Sequence, residues 1–175
     1  VGEVERRRAA RTHCALGLLL ISALLVRAVD LERIPANLGG DEGTWGLEGL
    51  QMLSRGIANP FATRWFSFPS MSFLAWGLGM RVFGETVAGM RALSALIGTA
   101  TVLTTFLLAD ELWGPQTAWV ASALLAFGHY HLHYSRLAVN NIADGLIATL
   151  ALWLLARGMR TARPGAFALA GATIG

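Results

Sequence analysis

Four apolar runs, at 13–29, 87–112, 118–134 and 142–157, limit what this chain can fold into. Each is close to the roughly 20 residues that an α-helix needs to cross the hydrocarbon of a bilayer. A segment in that environment must satisfy its backbone N–H and C=O groups internally, so the runs read as helices. The expected fold class is an all-α polytopic membrane helix bundle. Composition agrees, because 54% hydrophobic against 14% charged residues leaves too little polar surface for a water-soluble domain. The net charge of +3 does not point to nucleic acid. The basic residues, all Arg, gather at the ends of apolar runs instead of forming a stripe, so they read as topology signals. The lone Cys14 allows no intrachain disulfide.

Charge placement sets the expected topology. Arg6, Arg7, Arg8 and Arg11 precede the first run as in a signal anchor, and Arg27 and Asp30 interrupt the stretch where a cleavage site would fall, so the first helix is expected to be retained. A shorter apolar stretch, 71–83, decides the parity of everything after it. If it spans, Arg157, Arg160 and Arg163 lie outside, against the positive-inside rule; if it does not, they join the N-terminal arginines on the cytoplasmic side. The expected arrangement therefore has four spans and a cytoplasmic N-terminus in the inner or plasma membrane. Its outer loop, 30–86, carries interfacial helices at about 42–55 and 71–83. That loop also holds Trp45, Phe61, Trp65, Phe66 and Phe68, which suit a membrane–water interface. A fifth apolar run starts at 166 and stops short of a span, so the chain is expected to be the N-terminal part of a longer protein.

Chemistry is expected at Gly39-Gly40-Asp41-Glu42-Gly43. Glycines let backbone approach a ligand closely, and adjacent carboxylates can share a proton, act as a general base or hold a metal. Asp41 also suits a helix N-cap, since 42–55 reads as an amphipathic helix, and both readings stay open. The parity puts this turn on the same outer face as His129 to Arg136 and Asn140 to Asp144. Asp144, just inside the fourth span, is a functional candidate because a carboxylate near hydrocarbon is costly, or else it benefits from the helix N-terminal dipole. Arg136, after Ser135, is suited to an anionic headgroup or phosphate, or to snorkelling; Arg81 and Arg91 read as interfacial. His129 and His133 are four apart and share a helix face, so with a carboxylate such as Glu42 they would suit a divalent metal. His131 points away from that pair, and its loss is expected to be nearly silent. With no P-loop, no Gly-x-Gly-x-x-Gly and no CxxC, a nucleotide cofactor is not expected.

Asp41-Glu42 followed by a helix ending Leu53-Ser54-Arg55-Gly56, then Phe83-Gly84 with Arg91, Leu112-Trp113-Gly114, and Tyr134-Ser135-Arg136 with a later acid, together resemble the N-terminal half of GT-C glycosyltransferases. The similarity is to the group of protein O-mannosyltransferases and the lipid A aminoarabinose transferase, over roughly Asp30 to Arg157. It implies a GT-C-like bundle with two juxtamembrane helices in the first outer loop, and an essential acid at Asp41 with Glu42 beside it. The later acid falls on Asp144, although the usual spacing would reach Asn141. The candidate substrate-binding residues are Arg136, Ser135, Asn141 and Arg64. The implied activity moves a sugar from a polyprenyl-phosphate donor to a lipid, glycan or protein acceptor at the outer face of the bilayer. The competing class is a transporter or a non-catalytic membrane subunit. Transporters carry charge at the midplane and show repeats, whereas the charges here collect at one boundary.

Overall fold

The structure, a computed structural model, describes residues 2–57 and 70–175. It is all-α: α1 (Gly2–Ala28), α2 (Gly40–Arg55), α3 (Ser70–Phe83), α4 (Val87–Trp113), α5 (Pro115–Phe127), α6 (His129–Tyr134), α7 (Asn141–Thr161) and α8 (Pro164–Ile174), with no strand among the described residues. Three helices are long and apolar enough to cross a membrane: α1 from Glu5, α4 and α7. Arg64, Phe61, Trp65, Phe66 and Phe68, all singled out in the sequence, lie outside the described residues.

The run 118–134, expected as one span, is two helices. α5 ends at Phe127, and Gly128 takes an extended conformation (φ −63°, ψ 124°) before α6 begins. At about 1.5 Å per residue, the 13 residues of α5 rise only about 20 Å, short of the hydrocarbon thickness.

Helix ends follow local chemistry. Thr86 caps α4 by accepting from the Gly89 N–H at 3.1 Å, and Glu32 accepts from the Ala88 N–H at 2.9 Å. Gly114, at φ +86°, turns the chain between α4 and α5, and Pro115 opens α5, where its missing N–H costs nothing.

α2 and α3 form a hairpin whose backbones touch. A Cβ on Gly77 would come 2.5 Å from the Gly49 carbonyl, so neither position tolerates a side chain without separating the helices. Above that crossing, Trp45 stacks on Phe73 (centroids 4.1 Å apart) and tilts against Trp76, whose indole N–H donates to Ser94 at 3.2 Å. Met80, Met90, Ala138 and Ile142 complete this cluster, which fastens the hairpin to α4 and to the start of α7. α3, at 14 residues, is too short to cross the bilayer and packs as the hairpin's second arm.

α4 and α7 run parallel. Their start ends meet through Met90 and Ile142, their middles through the hydroxyls of Thr104 and Thr149, and their far ends through Glu111, which pairs with Arg157 and Arg160. Leu16 of α1 packs with Phe106, Ala109 and Ala118, so α1 begins near that far end and finishes at the other. Residues 27–42, 84–91 and 129–144 thereby gather at one end of the bundle. On α1, Leu18, Ile21 and Leu25 face outward, as hydrocarbon contact requires. The chain is a multi-pass membrane protein.

Candidate active site

Two buried arginines fasten the segment that leads to the Asp41 turn. Arg136, from the α6–α7 connection, donates to the carbonyls of Val26 (2.8 Å), Arg27 (2.9 Å), Val29 and Ile34 (3.0 Å). These include last-turn carbonyls of α1, which have no partner within the helix. Arg91, from the first turns of α4, donates to the carbonyls of Leu31 (2.9 Å), Pro35 (3.0 Å) and Asn37 (3.3 Å). The cations are near enough to influence each other. The Arg136 guanidinium is held below its usual range first by burial and then by Arg91, with Asp30 opposing.

Glu42 closes the clamp. It is 2% exposed, and its carboxylate receives Nε and Nη2 of Arg91, both at 2.9 Å. It also accepts the Ala138 N–H at 2.8 Å and the Gly39 N–H at 3.3 Å. The last bond is the reach-back of a third helical residue to the cap, half of a capping box. Burial pushes the Glu42 carboxyl up, but the Arg91 bond, the Ala138 N–H, the Arg91 charge and the Gly39 N–H together outweigh it and hold the group below its usual value. Asp41, one residue earlier, is exposed, and its side chain makes no hydrogen bond among the described residues. The N-cap of α2 is Gly39, so Asp41 is not the cap.

The other predicted residues divide between scaffold and surface. Ser135 is fully buried, donates to the His131 carbonyl at 2.6 Å, and fits against Gly98, where a Cβ would lie 2.2 Å from its hydroxyl. Arg136 gives both terminal nitrogens to backbone carbonyls, and it also lines a cavity of about 360 Å³ with His129 and His133. Asn141 and Asp144 are exposed on the first turn of α7 and line one cavity of about 280 Å³ with Tyr130, His131, Tyr134, Ile142 and Gly145. Asp144 also borders an apolar groove of about 620 Å³ between α7 and α8. His129 and His133 are exposed and stacked, with centroids 6.3 Å apart. Glu42, the carboxylate expected to join them, is committed to Arg91, and no group of three metal-ligating side chains occurs among the described residues. Among the described residues, two imidazoles fall short of the three protein ligands that a catalytic zinc site takes.

Sequence reasoning missed two features. Arg91, read as interfacial, is 1% exposed and is the partner of Glu42. Arg27 is fully buried and donates to the carbonyls of Ala23 (2.8 Å) and Ala126 (2.9 Å) and to His131 Nδ1 (3.1 Å). His131 therefore faces the bundle interior, and its substitution is expected to remove the contact with Arg27. The signal for both arginines lay in their position, because a guanidinium within an apolar helix needs partners.

The family model described as dolichyl-phosphate-mannose-protein mannosyltransferase matches residues 67–175, more than half of the chain. The chain belongs to this mannosyltransferase family. It is also similar to an undecaprenyl phosphate-alpha-4-amino-4-deoxy-L-arabinose arabinosyl transferase of Pseudomonas savastanoi pv. phaseolicola, 30% identical over 91% of this chain and 31% of that protein. A second relative, undecaprenyl phosphate-alpha-4-amino-4-deoxy-L-arabinose arabinosyl transferase 1 of Pseudomonas fluorescens, is 35% identical over 49% of this chain and 16% of its own length. The chain thus spans about a third of the first curated relative. No solved structure matches it.

Proposed function

We propose that this chain carries the acidic turn of a membrane glycosyltransferase. The enzyme moves a sugar from a polyprenyl-phosphate donor to a lipid, glycan or protein acceptor on the outer face of the inner membrane, with Asp41 as general base. The reading rests on membership of the mannosyltransferase family and on the contrast between neighbouring carboxylates. Glu42 is locked to Arg91, while Asp41 stands exposed on a turn that two buried arginines hold in place. Fixed backbone beneath a free carboxylate is the arrangement that general-base catalysis needs, since a small misplacement of the base is costly in rate.

In the reaction, Asp41 takes the proton from an acceptor hydroxyl or amine as that atom attacks the anomeric carbon. The bond from the anomeric carbon to the phosphate oxygen breaks, and polyprenyl phosphate leaves with the electron pair. Phosphate is already a good leaving group, so the step calls for charge stabilisation and no strong general acid. The cations proposed for the phosphate are Arg136, which lines a cavity beside His129 and His133, and Arg64.

The test is Asp41→Asn in the full-length protein. Asp41 is exposed and bonded to nothing among the described residues, so the change should alter stability by no more than about 1 kcal/mol, the upper size of a surface helix-dipole effect. Transfer from a polyprenyl-phosphate sugar should fall by roughly 10²-fold or more. Near wild-type transfer by the Asn variant would end the assignment of Asp41 as base.

A further inference from the structure

We propose that the cavity lined by Tyr130, His131, Tyr134, Asn141 and Asp144 is a binding site for the hydroxyl-bearing ring of a lipid-linked sugar. The proposal rests on the transferase reading and adds to it the place where a sugar ring is held.

Chemical lining sets this cavity apart. Five of its seven residues carry hydrogen-bonding side chains, whereas the adjoining groove between α7 and α8 is apolar apart from Asp144. The Asn141 amide and Asp144 carboxylate make no hydrogen bond among the described residues, so a donor–acceptor group and a pure acceptor are available for sugar hydroxyls. Tyr130 and Tyr134, with ring centroids 4.9 Å apart, supply aromatic surface for the C–H faces of a ring.

His131 supplies the most definite group. Arginine has only donors, so the 3.1 Å contact with Arg27 makes His131 Nδ1 an acceptor and puts the imidazole proton on Nε2. That Nε2 is buried and has no hydrogen-bond partner among the described residues. Arg27 is itself fixed by the carbonyls of Ala23 and Ala126, so the imidazole is oriented from behind, and one unpaired polar atom remains in a ring that forms part of the cavity wall. An unpaired buried N–H is costly, and a ligand hydroxyl would satisfy it.

Size and surroundings point to an amphiphile. About 280 Å³ lies at the small end of ligand cavities and suits a single sugar ring. Asp144 borders both this cavity and the apolar groove of about 620 Å³, so a ring in the first can continue into a hydrocarbon chain in the second. Ile142, on the cavity wall, packs in the same cluster as Trp45, one turn along α2 from Asp41, which puts the cavity and Asp41 at one end of the bundle.

The test uses the full-length protein in nanodiscs and four probes, with binding read from ligand-induced thermal shifts. Undecaprenyl phosphate aminoarabinose and dolichyl phosphate mannose carry the ring, chain and phosphate of a donor. Bare undecaprenyl phosphate lacks the ring. A long-chain alkyl mannoside has ring and chain without phosphate and stands in for a glycolipid acceptor. His131→Asn keeps an acceptor where Nδ1 meets Arg27 and removes Nε2, while His131→Gln keeps a donor near Nε2. The Asn variant, and Asn141→Ala independently, should weaken one ring-bearing class by about tenfold, the order of one lost buried hydrogen bond. Bare undecaprenyl phosphate should bind as before, and the Gln variant should retain more ring binding than the Asn variant. Loss confined to the phosphate-bearing sugars makes the ring the donor's, and loss confined to the alkyl mannoside makes it the acceptor's; either supports the site. Folded variants that bind every probe like wild type overturn it. A wild-type protein that binds no probe overturns the transferase reading, and this site with it.

Discussion

Replacing Glu42 by Gln should do more damage to the fold than any other single-atom change in the acidic turn. The carboxylate takes two bonds from Arg91 and one from each of the Ala138 and Gly39 amides, at 2% exposure. A Gln amide offers one acceptor oxygen where four donors converge, and its NH₂ must face a guanidinium or a backbone N–H. Arg91 would be left as a buried cation without a counter-charge, a situation that costs about 3–5 kcal/mol when one partner of a buried pair is removed. At roughly 2 °C or more per kcal/mol for a domain of this size, the apparent Tm should fall by about 6 °C or more. Exchanging both partners, as in Glu42→Leu with Arg91→Met, should recover part of the loss, because it leaves no unpaired charge. The recovery will be partial, since Arg91 also holds Leu31, Pro35 and Asn37. The pair has a pH signature as well. Glu42 is held below its unfolded value near 4.3, so its contribution is fully present above that value and is lost as pH falls through the folded one. Wild type should therefore lose stability on the acid side of about pH 4, and the Gln variant should show less of that slope. The assay is thermal unfolding in detergent, read by size exclusion after heating, from pH 3 to 7. A Gln variant as stable as wild type at pH 7 would refute the clamp.

Other expectations are simpler to check. In a Cys14→Ser background, an impermeant thiol reagent applied to intact cells should label Thr44→Cys and not Thr161→Cys; the reverse pattern would invert the assigned topology. Both positions lie in described helices, at opposite ends of the bundle. Chelation with EDTA should leave transfer within about twofold, because His129 and His133 find no third ligand among the described residues; a larger loss that zinc restores would require a donor from elsewhere in the protein.

Most of the architecture was legible because it follows from length and sign. Runs of apolar residues gave the helices, and Glu111, Arg157 and Arg160 meet at one end of the bundle. The break at Gly128 was not legible, since a glycine inside an apolar run breaks a helix in one context and packs closely in another.

The distinction between Asp41 and Glu42 was within reach of the sequence and was not drawn. In α2 the buried positions are Glu42, Trp45, Gly46 and Gly49, a spacing of three, four and seven residues from Glu42 that marks one helix face. Fixing the helix phase from Trp45 and the two glycines puts Glu42 on the packed stripe and Asp41 about 100° away from it. A carboxylate on a packed stripe must have a cationic partner, and a membrane chain with few charges offers few. Arg91, the first arginine inside an apolar run after the loop, faces the same requirement from the other side. Two such liabilities have one joint solution, and that reasoning pairs Glu42 with Arg91 from residue order alone. What no pattern could supply is the use to which Arg136 is put, because donating to four backbone carbonyls depends on how α1 ends and on where residues 29–34 turn, and both are set only when the helices have packed.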